Sequence, residues 1–230
     1  MQPPPFDLQI IRLLEPWQRL PWLTDAVERL SENPLANGFV FVVPLFLLWH
    51  FAEGGRRWLA QRLLLTVLAA TVIGAAGSLM LQRLIRWPPP AANPAVAAVY
   101  SLQFRENPNP NSFPSDSTML FSAVAFGAAS WNLRLGAGLL AWLLLFSAPA
   151  RVFVGGHYPS DILAGLLLGF CSLRAAQFLM ANVRPLENLS GSRSPLLRTF
   201  LFLWLFEVGN GFGDVRDIVN AILHIQRHHL

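Results

Sequence analysis

Apolar residues fall into long blocks along the chain, divided by short polar connections, and several blocks exceed what a surface helix of a soluble domain would show. The first strong block, 35–51 (LANGFVFVVPLFLLWHF), rises about 1.5 Å per residue and sits near the lower length limit for a roughly 30 Å hydrocarbon layer. The second, 63–81 (LLLTVLAATVIGAAGSLML), meets that length, and its Ala, Gly and Ser residues permit close helix approach. Three more follow at 117–131, 135–150 and 161–180. The first two of these are joined by the short NLR turn at 132–134, which predicts an antiparallel helical hairpin. A last block, 196–208, is short, and Glu207 near its end favours a place at the interface, a tilted crossing being the other reading. The pattern predicts an all-α polytopic transmembrane helical bundle with five firm spans. A sixth would come from the last block or from the N-terminal helices.

Two stretches depart from the apolar blocks. Residues 8–32 alternate Leu, Ile and Trp with Arg and acids around Pro16 and Pro21, which predicts one or two short amphipathic helices with Trp17 and Trp22 at headgroup level. A first helix packed against the bundle is the competing reading. From 83 to 113 the prolines of RWPPPAANP and ENPNPNSF remove backbone donors and impose bends, so this stretch reads as an ordered interfacial loop or partial lid. The expected organisation is an amphipathic N-terminal segment at 1–34, one transmembrane domain at 35–182, and a short hydrophobic helix with an amphipathic tail at 183–230. The N-terminus shows no secretory-signal pattern, and no internal repeat is evident.

Composition agrees with the pattern. Of 230 residues, 53% are hydrophobic and 13% charged, against about 25% charged in an ordinary soluble domain. All 17 basic residues are arginines, and a net charge of +4 spread along the chain makes no continuous nucleic-acid-binding stripe. Arginines at block ends instead suit lipid headgroups. Arg56, Arg57, Arg62, Arg184, Arg193 and Arg198 fall on one side if the five blocks each cross once, and the positive-inside rule makes that side cytoplasmic. The proline-rich loop and the 151–160 connection then face outward, from a cytoplasmic (inner) membrane. Cys171 reads as core packing, and His224, His228 and His229 read as a solvated terminal helix rather than a metal site.

Chemistry concentrates in 148–165 (APARVFVGGHYPSDILAG). A helix starting near Tyr158 or Pro159 would put His157 and Asp161 on one face, so that one ring nitrogen faces a substrate while the other donates to the carboxylate. With Arg151 they supply a nucleophile, its orienting partner and a cation, while Gly155 and Gly156 allow close backbone approach. The competing reading has Arg151 on headgroups and Asp161 capping a helix. In SFPSDST (112–118), Ser115 can offer its hydroxyl and amide to phosphate at a helix start, and Ser115 or Ser117 can equally cap that helix.

Together these segments resemble the type 2 phosphatidic acid phosphatase superfamily. Its third signature, Ser/Ala-Arg, five residues, His, three residues, Asp, is matched by Ala150-Arg151, VFVGG, His157, YPS, Asp161. The second, Pro-Ser-Gly-His, stands as Pro114-Ser115-Asp116-Ser117, and the first, Lys, six residues, Arg-Pro, as Gln82, RLIRWP, Pro89-Pro90. The resemblance implies that His157 attacks phosphorus, Asp161 orients it, and Arg151 and Ser115 hold phosphate. No metal or other cofactor is implied. It also implies that the leaving-group acid is missing at Ser117 and two phosphate-holding cations are missing at Gln82 and Pro89. Arg83, Arg86 and Arg105 are the auxiliary residues that could restore positive potential. The expected partners are the bilayer and a phosphorylated membrane lipid, preferentially a polyprenyl or other lipid diphosphate. The alternative is a catalytically impaired relative that binds phosphorylated lipid or acts in membrane interactions. Oligomeric state is left open.

Overall fold

The computed structural model describes residues 2–52, 55–100, 111–181 and 195–210. Arg105, Arg184, Arg193 and the three tail histidines lie outside the described residues. In chain order the helices are α1 (Pro5–Gln18), α2 (Pro21–Glu32), α3 (Val40–Phe51), α4 (Gly55–Leu84), α5 (Asp116–Trp131), α6 (Leu133–Trp142), α7 (Ala148–Phe153), α8 (Pro159–Ala181) and α9 (Pro195–Gly209). A π-helical turn, Leu35–Phe39, leads into α3, and a second, Leu143–Ser147, joins α6 to α7. Prolines open α1, α2 and α8, where a missing N–H costs nothing. Asn132 stops α5 and caps α6, its side chain accepting from the backbone of Arg134 and Leu135 at 2.9 and 3.2 Å.

The expected five or six crossings are corrected by these helices. Among the described residues only three are long and apolar enough to span a membrane: Trp58–Leu84, Leu133–Phe153 and Pro159–Ala181. Counting Pro21–Ser31 and Leu35–Phe51 as one span, despite a 62° bend between them, gives four. The block at 117–131 forms α5, of 16 residues and therefore only about 24 Å long. Ten of those residues, from Thr118 to Ala128, are buried in the protein. Hydropathy reads such a protein-enclosed helix as a lipid-enclosed one. The last block is similarly short, and Leu201, Leu205 and Val208 bury it against α3 and the turn before it.

Around α5 pack α4, α6 and α8. Phe121 stacks on Phe41 of α3 at 4.5 Å, and Leu64, Val67, Met119, Val124 and Leu173 fill the same core. Outward, α8 exposes Leu163, Leu167, Phe170, Phe178 and Leu179, and the α6–α7 rod exposes Leu144, Leu145 and Phe146, an apolar girdle suited to lipid.

The α5–α8 seam is close because Gly165 and Gly169 lie on it. A Cβ at Gly165 would stand 2.6 Å from the Ser115 carbonyl oxygen, and one at Gly169 would stand 2.4 Å from that of Met119. Both neighbours are backbone and cannot swing away. Gly165→Val is therefore expected to force the helices apart at a cost of roughly 1–3 kcal/mol, lowering the thermal midpoint in detergent and shifting Asp161 one turn away. An unchanged melting curve would count against this packing.

At one end of the bundle the C-termini of α4 and α7 meet the N-termini of α5 and α8. A second core covers that end: Ile11 of α1, Ala91, Val96 and Tyr100 of the proline-rich segment, and Tyr158. Asn111 ties the segment down, its amide donating to the Gln82 and Ile85 carbonyls at 2.8 and 2.7 Å. Its side-chain oxygen accepts from the Trp87 and Phe113 amides at 3.2 and 3.1 Å. The bundle end thus has a lid with a defined base.

Candidate active site

The His157 turn is built by the end of α7. Gly155 takes φ +73°, a left-handed conformation that side chains rarely adopt, and reverses the chain after α7. The Gly156 and His157 amides both return to the Arg151 carbonyl, at 3.1 and 3.3 Å. A Cβ at Gly155 would also meet Ala91 and Tyr100 at 2.8 Å, so glycine is needed here for space as well as conformation.

The His157 ring is held by a main-chain group. Its Nδ1 lies 2.8 Å from the Ser112 carbonyl oxygen. A carbonyl can only accept, so this bond places the neutral ring's proton on Nδ1 and leaves the lone pair on Nε2. Asp161 Oδ2 is 3.9 Å from Nδ1, too far for a hydrogen bond but near enough to stabilise positive charge that develops on the ring. That carboxylate accepts the Tyr158 amide at 2.7 Å and is wholly buried, whereas the His157 side chain is 12% exposed. The expected donation from His157 to Asp161 is thus replaced by donation to Ser112. A backbone acceptor 45 residues away leaves no mark in local spacing.

Ser115 is more committed than its position in the signature implies. Its amide donates to the Asp161 carbonyl at 3.2 Å, its hydroxyl pairs with that of Thr118 at 2.9 Å, and the residue is buried completely. It locks α5 to α8 as folded. Ser117 is partly exposed on the first turn of α5, and Arg151 is half-buried at the end of α7.

Where the resemblance implies a lysine, a polar cluster stands instead. The Gln82 amide donates to both Asp116 oxygens, at 2.9 and 3.0 Å, and the Ser78 hydroxyl also donates to Asp116. The two departures from the signatures, at 82 and 116, are therefore partners. Arg83 and Arg86 lie exposed at the end of α4, outside this cluster. Pro89 is buried in the lid, its carbonyl accepting from the Ala92 amide at 3.0 Å. Asn93 donates to the Tyr158 hydroxyl at 2.9 Å. Burial pushes the Tyr158 phenol up to about 12, with Asn93 offsetting part of the rise, so it is a neutral wall of the site. Among the described residues no three His, Cys, Asp or Glu side chains gather as metal ligands.

The chain is similar to known proteins in sequence and in fold. The PAP2 superfamily model matches residues 63–185, which include Gln82, Ser115, Arg151, His157 and Asp161. YbjG of Escherichia coli, provisionally named an undecaprenyl-diphosphatase, is 30% identical over 148 residues, covering 63% of this chain and 70% of that protein. The bacitracin transport permease protein BcrC of Bacillus licheniformis is 42% identical over 64 residues, a match spanning 27% of this chain and only 30% of that protein. The crystal structure of LpxE from Aquifex aeolicus shares the fold with a TM-score of 0.54 at 21% identity, covering 74% of this chain and 94% of that one. With the third signature running from α7 through the His157 turn into α8, the chain belongs to the PAP2 superfamily, in its membrane-bound lipid phosphatase branch.

Proposed function

We propose that the protein hydrolyses a lipid diphosphate through a phosphohistidine on Nε2 of His157. The observation that carries this reading is the Nδ1 contact to Ser112, which leaves Nε2 with its lone pair. Nε2 attacks the terminal phosphorus, the bond to the bridging oxygen breaks, and lipid monophosphate departs with the electron pair. Water then attacks the phosphorus of the phosphohistidine, releasing phosphate and restoring the ring. Arg151 is the cation for the phosphoryl oxygens, and Asp161 balances the charge on the imidazole. The lipid tail lies between the apolar helices.

The choice of a diphosphate follows from Ser117. A serine hydroxyl has no useful acidity near neutral pH, so an alkoxide leaving group would go unprotonated, whereas a phosphate monoester leaves without that help. The diphosphatase name of the Escherichia coli relative points the same way. Purified protein is expected to release phosphate from polyprenyl diphosphate at least about 10²-fold faster than from phosphatidic acid or phosphatidylglycerophosphate. Equal rates would overturn the preference. The site is assigned to the outer face: Arg62 reaches the Met180 carbonyl at 3.5 Å at the opposite end of the bundle, where Arg56 also lies, and basic ends face the cytoplasm.

A second reading, a protein that binds phosphorylated lipid without turnover, draws on the Gln82–Asp116 cluster, which puts a carboxylate where a phosphate-holding cation is expected. Binding of polyprenyl diphosphate with neither phosphate release nor a phosphohistidine would select it.

A further inference from the structure

We propose that Asp7 is a positioning residue for His157, capping the helix that follows the histidine from the far end of the chain. Helix α8 starts without a capping oxygen of its own for Ser160. Tyr158 has no short side-chain acceptor, Pro159 has no N–H, and the Asp161 and Ile162 amides both go to the Tyr158 carbonyl, at 3.0 and 3.3 Å. The Ser160 amide is left, and Asp7 Oδ1 accepts it at 2.9 Å. Asp7 Oδ2 accepts the Ser160 hydroxyl at 2.6 Å, so both oxygens of one carboxylate are spent on one residue, 153 positions away. Asp7 is completely buried. A carboxylate at this place also suits the positive end of α8.

The contact is one end of a brace. At the other end of α1, Gln18 donates to the carbonyl of Phe153, the last residue of α7, at 2.7 Å. Between them Ile11 packs in the core that holds Tyr158, and Leu14 packs against Val152 and Ile162. Asp7, Ile11, Leu14 and Gln18 recur at intervals of four, three and four residues, which is one face of a helix. That face grips the chain on both sides of the turn carrying His157. The separation of Asp7 and Gln18 along α1 therefore sets the span of the turn, and with it the direction of Nε2.

The kinetic arm of the test rests on the phosphatase reading, and a labelling arm does not. In full-length protein, Asp7→Ala is expected to lower kcat about 10²-fold with KM little changed, since small misplacement of a reacting group costs on that order. Asp7→Asn keeps an acceptor for the Ser160 amide and is expected to recover most of the loss. Gln18→Ala should give a smaller loss of the same kind. Independently, the rate at which diethyl pyrocarbonate modifies His157, followed by mass spectrometry, is expected to rise several-fold in Asp7→Ala as the ring is released. If Asp7→Ala does not fold, Gln18→Ala carries both measurements. Unchanged kcat and unchanged His157 labelling in folded variants overturn the proposal, as does a lowered thermal midpoint with neither quantity altered. If wild type releases no phosphate while His157 labelling still responds to Asp7, the phosphatase reading fails and the positioning role stands.

Discussion

Replacing His157 with alanine is expected to reduce phosphate release to background, a loss on the order of 10⁴-fold or more, while leaving the protein folded. On the proposed reaction neither neighbour can stand in for the His157 ring, because Asp161 is fully buried and Ser115 is spent between Thr118 and Asp161. Folding should survive, since the Nδ1 contact is to a backbone carbonyl and the side chain is partly exposed. Wild type given substrate radiolabelled in the terminal phosphate and quenched in alkaline detergent should retain a base-stable, acid-labile phosphoryl group that the variant lacks. Turnover in the variant would remove His157 from the mechanism.

The second large effect comes from restoring what the signatures lack. Ser117→His supplies an acid on the first turn of α5, and general acid catalysis contributes typically 10²–10⁴-fold. The gain should appear with phosphatidic acid, whose leaving group needs a proton, and be small with a lipid diphosphate. Gln82→Lys alone is expected to add little. The Gln82 amide lies within 3.0 Å of both Asp116 oxygens, and an ammonium placed there would be neutralised by that carboxylate. Combined with Asp116→Gly, the same lysine is free to meet phosphate, and the two changes together should exceed the sum of each in kcat/KM for the monoester. Strict additivity would show that Gln82 and Asp116 act apart.

Legibility followed the range of each interaction. Arg151, His157 and Asp161 fall within eleven residues, so their spacing alone marks a candidate site, and the fold brings His157 and Asp161 to 3.9 Å. The amphipathic pattern of 8–32 announces α1 and α2, yet nothing local to Asp7 says that its carboxylate meets Ser160. The Ser112 carbonyl is invisible for a stronger reason: every residue has one, and only tertiary folding selects which faces a histidine. Gln82 and Asp116 stand out singly as departures from the signatures, and their pairing emerges only where α4 meets α5. Apolar blocks outnumber the spans because an apolar 16-residue helix in the protein interior has the same composition as one in lipid.

Asn111 binds both shores of the lid at its base, joining the end of α4 to the strand of chain that enters α5. Lengthening a closed loop raises its entropic cost by only about 0.6 kcal/mol per doubling. Chain inserted after Tyr100 therefore leaves the separation of Gln82 and Ser112 set by Asn111, so that chain length there and the geometry of the site can be varied separately.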